Sequence, residues 1–342
     1  MKKHILFLSL FCLFAWSCGK NEDDLTPSGL EKDWLVLEDS EDPIDHLRYE
    51  IYTQTGYPIY YNDTVGSEER YSAGSGLYYT YYEVLQVFYS PGAPTPGSSS
   101  ARYTLVKDKN SLEDLLIFLR DKVLPEVPEN TYLPSILVVD TLITPTGDSL
   151  AYKGLNTTVL GQAHRFQEMT DAEKDLMKGA FLASCIMSTL SLNEAEWLEN
   201  EFYALSYATV PSSLTGRVYS TDAQGCGVYR AGVKHIGFLG MIGTKTEPST
   251  VGTGNRLPDD PYHPNMWLQP TQAQDVQQYC QAILAYPEEE FMERYAKGTI
   301  YMTETIDGYE QVVSSEEVEF PVVKEKYYVM RAKLEEYGFT IK

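Results

Sequence analysis

Basic residues are scarce in this chain. Lys and Arg number 27 against 49 Asp and Glu, which leaves a formal charge of -22 at pH 7. A chain so acidic repels phosphate backbones, so nucleic acid is excluded as a partner. Cysteine is scarce as well: five in 342 residues, with no CxxC pair, which rules out a disulfide framework, a zinc ribbon and a redox motif. Of five histidines, His4 belongs to the extreme N-terminus, and His46, His164, His235 and His263 are too far apart for HExxH or HxxxH, the spacings that set two imidazoles on one helix face. GxSxG, GxGxxG, GxxxxGK[ST] and internal repeats are also missing, so no phosphate cradle, dinucleotide fingerprint, nucleophile elbow or repeat architecture can be read. No cofactor is expected.

What is present is a chain 43% hydrophobic and 22% charged, long enough to bury one large core or two smaller ones. The only long apolar run is Ile5 to Trp16, preceded by Lys2, Lys3 and His4. It is shorter than the roughly 20 residues that a membrane span requires, so residues 1–17 read as a secretion signal. Ser17-Cys18 closes it like a bacterial lipobox, with Cys18 as the lipidated new N-terminus, although Trp16 departs from the strict pattern. Gly19-Lys20-Asn21-Glu22-Asp23-Asp24 then resembles the surface-export tether of Bacteroidota-type lipoproteins. Removing Lys2 and Lys3 with the leader takes 27 basic residues to 25 against 49 acidic ones, and the charge from -22 to -24. The expected location is the outer face of an outer membrane, attached through lipid on Cys18.

Residues 18–32 read as a polar tether and 33–342 most simply as one α+β domain, with a small mixed helix and strand part first and a helix-dominated C-terminal half, a split near residue 165 or 210 being the alternative. A short helix after Pro43, ended by Gly56, precedes an extended run at Tyr57-Pro58-Ile59-Tyr60-Tyr61. The block Leu77 to Tyr89 is aromatic and β-branched, and Pro91 to Ser100 breaks it as a long loop. Leu112, Leu115, Leu116, Leu119 and Val123 have helical spacing, with Ser111 as N-cap and Pro125 as stop. Ile136-Leu137-Val138-Val139-Asp140 predicts a buried strand. Thr170-Asp171-Ala172-Glu173 is a capping box that opens a helix to about Leu192, whose Ala180, Ala183 and Ser184 would admit a close neighbour. Residues 212–264 predict loops with a hairpin among them, and helical spacing returns over Gln272–Tyr286 and Val322–Tyr337.

Candidate chemistry is sparse. His235 and His263 with Asp259 or Asp260 could assemble a zinc site at long range, against the plainer expectation of surface histidines. Glu288-Glu289-Glu290 could supply an acid and base couple but reads better as a solvated charge run. Cys185, Cys226 and Cys280 read as buried small hydrophobes or free thiols, Cys226 in its Gly225-Cys226-Gly227 loop being the one to check for exposure. The compositional excess is tyrosine, 27 against 12 phenylalanines. Tyrosine presents a flat apolar face with a polar tip and suits sugar or peptide binding, while strand packing explains the Tyr78, Tyr79, Tyr81, Tyr82 cluster equally by propensity.

The lipobox, the opening through Tyr57–Tyr61, the strand in Leu133-Pro134-Ser135-Ile136-Leu137-Val138-Val139-Asp140 and the long helix after Thr170 together resemble the zinc metallohydrolase lipoproteins associated with TonB-dependent substrate import. The resemblance covers most of the mature chain. It implies a metallopeptidase-like fold in which the helix matching Lys178 to Leu192 carries HExxH and a later helix start adds an acidic ligand. Here the first motif falls on Met187-Ser188-Thr189-Leu190-Ser191, so Met187, Ser188 and Ser191 stand where ligands and base belong. The second falls on Pro270 to Gln278, with Gln274 and Gln278 in place of glutamates. Amides, hydroxyls and thioethers are poor substitutes for imidazole and carboxylate on zinc. The leading expectation is a degenerate, metal-free surface lipoprotein that serves nutrient import as a binding or accessory component beside TonB-dependent machinery, with a glycan or peptide as ligand. Its rivals are an active hydrolase with another metal or carboxylate site, and a carbohydrate-binding lipoprotein of other ancestry.

Overall fold

A β-strand buried on both faces organises the N-terminal half. The computed structural model of the chain describes residues 32–87, 102–144, 147–213, 215–219, 233–240, 270–306 and 309–342. Signal peptide, Cys18, the tether to Glu31, the Pro91–Ser100 break, Cys226, His263, Asp259 and Asp260 lie outside them, as does most of the 212–264 stretch. From Leu37 to Lys342 the chain forms one compact unit.

Helix α1, Pro43–Thr55, starts because Asp42 accepts hydrogen bonds from the amides of Ile44 and Asp45 and Pro43 presets φ. It stops at Gly56, whose φ of 77° closes the helix with a bond to the Tyr52 carbonyl. Strand β1, Ile59–Tyr60, runs parallel to β5, Ile136–Thr144, with Ile59 opposite Ile136. Between them come β2, Thr64–Ser72, and β3, Leu77–Val84, which pair with each other, then β4, Arg102–Leu105.

β5 changes partners along its length. Its first half lies between β1 and β8, Thr158–Leu160, both parallel to it, and its second half pairs antiparallel with β4 and with β6, Gly147–Asp148. The outer strand β7, Ala151–Lys153, returns antiparallel on β8. Ile136, Leu137, Val138 and Val139 are wholly buried, so the unbroken apolar run seen in the sequence reflects a strand covered on both faces.

The segment from Lys109 to Glu126 is not the single capped helix that its leucine spacing predicts. Asp108, not Ser111, caps it, accepting from the amide of Asn110, while the Ser111 hydroxyl donates to the Asp108 carbonyl. One regular stretch, α2 (Glu113–Phe118), passes into a wider π turn at Leu119–Val123, and Pro125 sits inside a last tight turn, Leu124–Glu126. Leu112, Leu115, Leu116, Leu119 and Val123 are nonetheless all buried, so burial was read correctly where helix regularity was not.

Helix α3, Asp171–Asn193, carries the expected capping box: Thr170 accepts from the Glu173 amide and Glu173 from the Thr170 amide. Ten consecutive residues from Met177 to Ile186 are buried, so this middle stretch of the helix is enclosed on all sides. Against it lies α4, Gln272–Ala285, with its own capping box formed by Thr271 and Gln274. The two helices are in close contact at Gly179, where a Cβ would stand 2.2 Å from the Gln281 carbonyl oxygen and 2.8 Å from the Ala285 Cβ. Only a residue without a side chain lets the two backbones meet there.

The C-terminal half is helix-rich, and the molecule is α+β. A long hairpin interrupts it, β9 (Lys297–Ile306) with β10 (Tyr309–Glu319), which the expectation of a helix-dominated late chain omitted. The chain then closes with α5, Pro321–Glu336, whose Val323, Tyr327, Met330 and Leu334 complete the core.

Candidate functional site

α3 and α4 run antiparallel: Ala172 accepts from the Tyr286 hydroxyl near one end, and Gly179 faces Gln281 and Ala285 further along. That course carries Met187–Ser191, near the C-terminus of α3, to the same end of the pair as Gln274, near the N-terminus of α4. All but Gln278 have a structural task or face water. Met187 packs on the core, Ser188 and Ser191 are exposed, and Ser191 folds its hydroxyl back onto the Met187 carbonyl at 2.8 Å. Gln274 completes the capping box through its contact with the Thr271 amide at 2.9 Å. The Gln278 Oε1 is buried and has no hydrogen-bond partner among the described residues.

Next to Gln274 is a group that sequence reasoning missed. Asp275 on α4 and Lys326 on α5 are both 0% exposed and form an ion pair through Asp275 Oδ2 and Lys326 Nζ. The Tyr219 hydroxyl donates to the same Oδ2 at 2.7 Å, and Lys326 also donates to Ser206 Oγ at 3.1 Å. Aromatic rings wall the pair: Lys326 Nζ lies 4.2 Å from the Phe202 ring centre and 4.9 Å from that of Tyr279. Tyr279 in turn donates to the Gly237 carbonyl at 2.8 Å. Gly237 has φ of 87°, and a Cβ there would meet Val322 Cγ1 at 2.6 Å and Lys326 Cδ at 2.9 Å, so glycine is required beside the lysine stem.

Burial pushes the Asp275 carboxyl above its ordinary value and the Lys326 ammonium below its own, and their mutual contact opposes both shifts. Burial and the neighbouring Asp275 charge likewise raise the Tyr219 phenol, which stays a proton donor. Asp275 Oδ1 has no partner among the described residues. The cluster locks α4, α5 and the Ser206–Tyr219 stretch together, and an ammonium already serves as the counter-ion of Asp275. The signal was present in the pattern: Lys326 lies between Val323, Tyr327 and Met330 on the apolar stripe of α5, and Asp275 with Val276 and Tyr279 on that of α4.

The other candidates are dispersed. His46 binds Asp39 at 2.6 Å on the surface, His164 reaches the Asp140 carbonyl at 2.5 Å, and His235 stands edge-on to Phe320 at 5.1 Å between ring centres. Among the described residues, no three His, Cys, Asp or Glu side chains gather as metal ligands would. Glu288 accepts from Arg331 at 2.5 Å and Tyr328 at 2.8 Å, and Glu290 pairs with Arg294 at 2.5 Å, as a solvated charge run does. Cys185 and Cys280 are buried free thiols, and burial pushes Cys185 up to about 12, far from a reactive thiolate.

The tyrosine cluster lies on the hairpin of β2 and β3. β2 and β3 pair only with each other among the described residues, and Tyr71, Tyr78, Tyr79 and Tyr82 are all exposed. At the base, Leu85 and Val87 are buried, and Gln86 accepts from the Leu155 amide at 2.9 Å.

No family model matches the chain, and neither a curated protein nor a solved structure matches it at a significant level.

Proposed function

We propose that this chain is a surface-exposed outer-membrane lipoprotein, acylated at Cys18, that serves nutrient import as a non-catalytic binding component. The observation that carries the non-catalytic part is the internal neutralisation of Asp275. It is the buried carboxylate next to Gln274, one of the positions where the proposed resemblance would put a metal ligand and the sequence has none, and Lys326 and Tyr219 already occupy its Oδ2. Around it, Met187 serves packing and Gln274 serves capping. The localisation rests on the sequence: the short apolar leader, Cys18 and the acidic run after it.

The location is tested by expressing the full precursor and treating intact cells with protease. Wild-type protein should be acylated and degraded from outside. Cys18→Ala should lose the acyl group and leave the membrane fraction. Protein that is never acylated, or that is protected until the outer membrane is broken, overturns this reading.

A further inference from the structure

The hairpin of β2 and β3 has two faces, because side chains alternate along a strand. Register pairs Tyr71 with Tyr78, Glu69 with Thr80 and Ser67 with Tyr82, so these six share one face. On the opposite face Arg70 stacks over Tyr81 at 3.4 Å and is bound by Glu68 at 2.6 Å, and the Tyr81 hydroxyl donates to Glu83. That network ties up the charged groups of the second face, although Leu77 and Tyr79 on it are exposed. The first face has no such network: Tyr78 is 71% exposed, Tyr82 60% and Tyr71 58%, and none of their hydroxyls has a partner among the described residues.

Hairpin stability explains part of this arrangement. Tyr71 and Tyr78 form a cross-strand pair with ring centres 5.2 Å apart, which supports an otherwise marginal two-stranded element. Tyr82 has no such excuse, since the residue opposite is Ser67. Its ring stands four residues from Tyr78 on the same face, about 13 Å along the strand, with the hydroxyl of Thr80 and the carboxylate of Glu69 between them.

We propose that this face is a platform for an extended neutral glycan, which stacks its C–H faces on the Tyr71–Tyr78 pair and on Tyr82 and donates hydroxyls to Glu69. Sugars present apolar faces and hydroxyls in alternation, as the platform presents rings and polar groups in alternation. Charge selects the class: the face holds one carboxylate and no base, on a chain of net charge -22, so anionic polymers are repelled. An open two-stranded face suits a polymer, because nothing on it encloses a single sugar. The inference rests on the binding role proposed above but not on the acylation, which the protease experiment tests separately.

The test is native gel electrophoresis of the purified protein in gels containing barley β-glucan, xyloglucan or amylopectin, followed by calorimetry with the best of them. Polygalacturonate and oligolysine serve as charged comparators. The expected result is retardation by at least one neutral glycan and by neither comparator. Tyr82→Ala should weaken binding about tenfold with an unchanged melting temperature, while Tyr82→Phe retains it because the ring face is kept. Tyr328→Ala, an exposed tyrosine on α5, should leave binding unchanged. Because Tyr78→Ala can disturb the hairpin itself, Tyr82 is the deciding position. The proposal is overturned by no retardation in any neutral glycan, by equal retardation in polygalacturonate, by binding of oligolysine alone, or by a Tyr82→Ala variant that binds like the wild type.

Discussion

Two polar and aromatic clusters in this molecule share tyrosines and a carboxylate and have opposite fates. Asp275, Lys326, Tyr219 and Ser206 are closed among Phe202, Phe238 and Tyr279, with both charges fully out of water. Tyr71, Tyr78, Tyr82 and Glu69 stand on a hairpin with nothing packed over their face among the described residues. The first cluster pairs its charges inside the fold, although Asp275 Oδ1 has no partner among the described residues, and it is closed off from a ligand by the rings around it. The second leaves its rings and hydroxyls to the solvent. Tyrosine content alone therefore says little about binding; what matters is whether a layer of structure covers the ring.

The comparison is broken most strongly at the buried pair. Removing one partner, by Asp275→Asn or Lys326→Met, leaves a desolvated charge and should cost about 3–5 kcal/mol. Replacing both, Asp275→Leu with Lys326→Met, should restore most of that stability, because a buried ion pair is often matched by apolar groups of similar size. Urea unfolding of the two singles and the double decides this, and a double variant as unstable as the sum of the singles contradicts it.

Gly179→Ala comes next. Its new methyl would overlap the Gln281 carbonyl, forcing α3 and α4 apart at a cost of about 1–3 kcal/mol or more, measurable by thermal unfolding. Thr170→Ala removes one half of a capping box and should cost about 1 kcal/mol. A smaller effect depends on pH. Glu194 is held below its ordinary value of 4.5 by hydrogen bonds from Tyr337 and Lys333. A carboxylate depressed in the fold stabilises it above its unfolded value and loses that contribution as pH falls through the folded one. The wild type should therefore lose more melting temperature than Glu194→Gln as pH drops below 4.5. Tyr82→Ala should be the mildest, within about 0.5 kcal/mol of wild type, which sharpens the contrast between the covered and the open cluster.

Much of the scaffold was legible in the sequence, for identifiable reasons. Thr170 and Glu173 form a local motif that needs no tertiary information, and Ile136–Val139 can be uninterrupted and apolar only if both faces are buried. The hairpin of β9 and β10 was missed although Asp307-Gly308, a dipeptide suited to tight hairpin turns, lies between the strands in the sequence. Its Thr and Glu residues dilute the apolar alternation that marks a strand.

The site was harder to read. Charged residues are expected at the surface, so Asp275 and Lys326 drew no notice, although each sits on an apolar stripe. That α4 and α5, far apart in sequence, meet at Asp275 and Lys326 is set by tertiary packing, not by any local pattern. The Tyr78–Tyr82 block was recognised, but its exposure was not legible, because it depends on β2 and β3 pairing only with each other among the described residues.

The central claim is that Asp275, at the end of the α3 and α4 pair where the proposed resemblance would put a metal site, has Lys326 as its cation, and that the protein binds no metal. Plasma mass spectrometry on the purified mature protein, dialysed without chelator, tests it most directly. The account predicts zinc and other transition metals far below one per chain, with a melting temperature that chelator does not change. About one zinc per chain, lost to chelator with a fall in melting temperature, would contradict it.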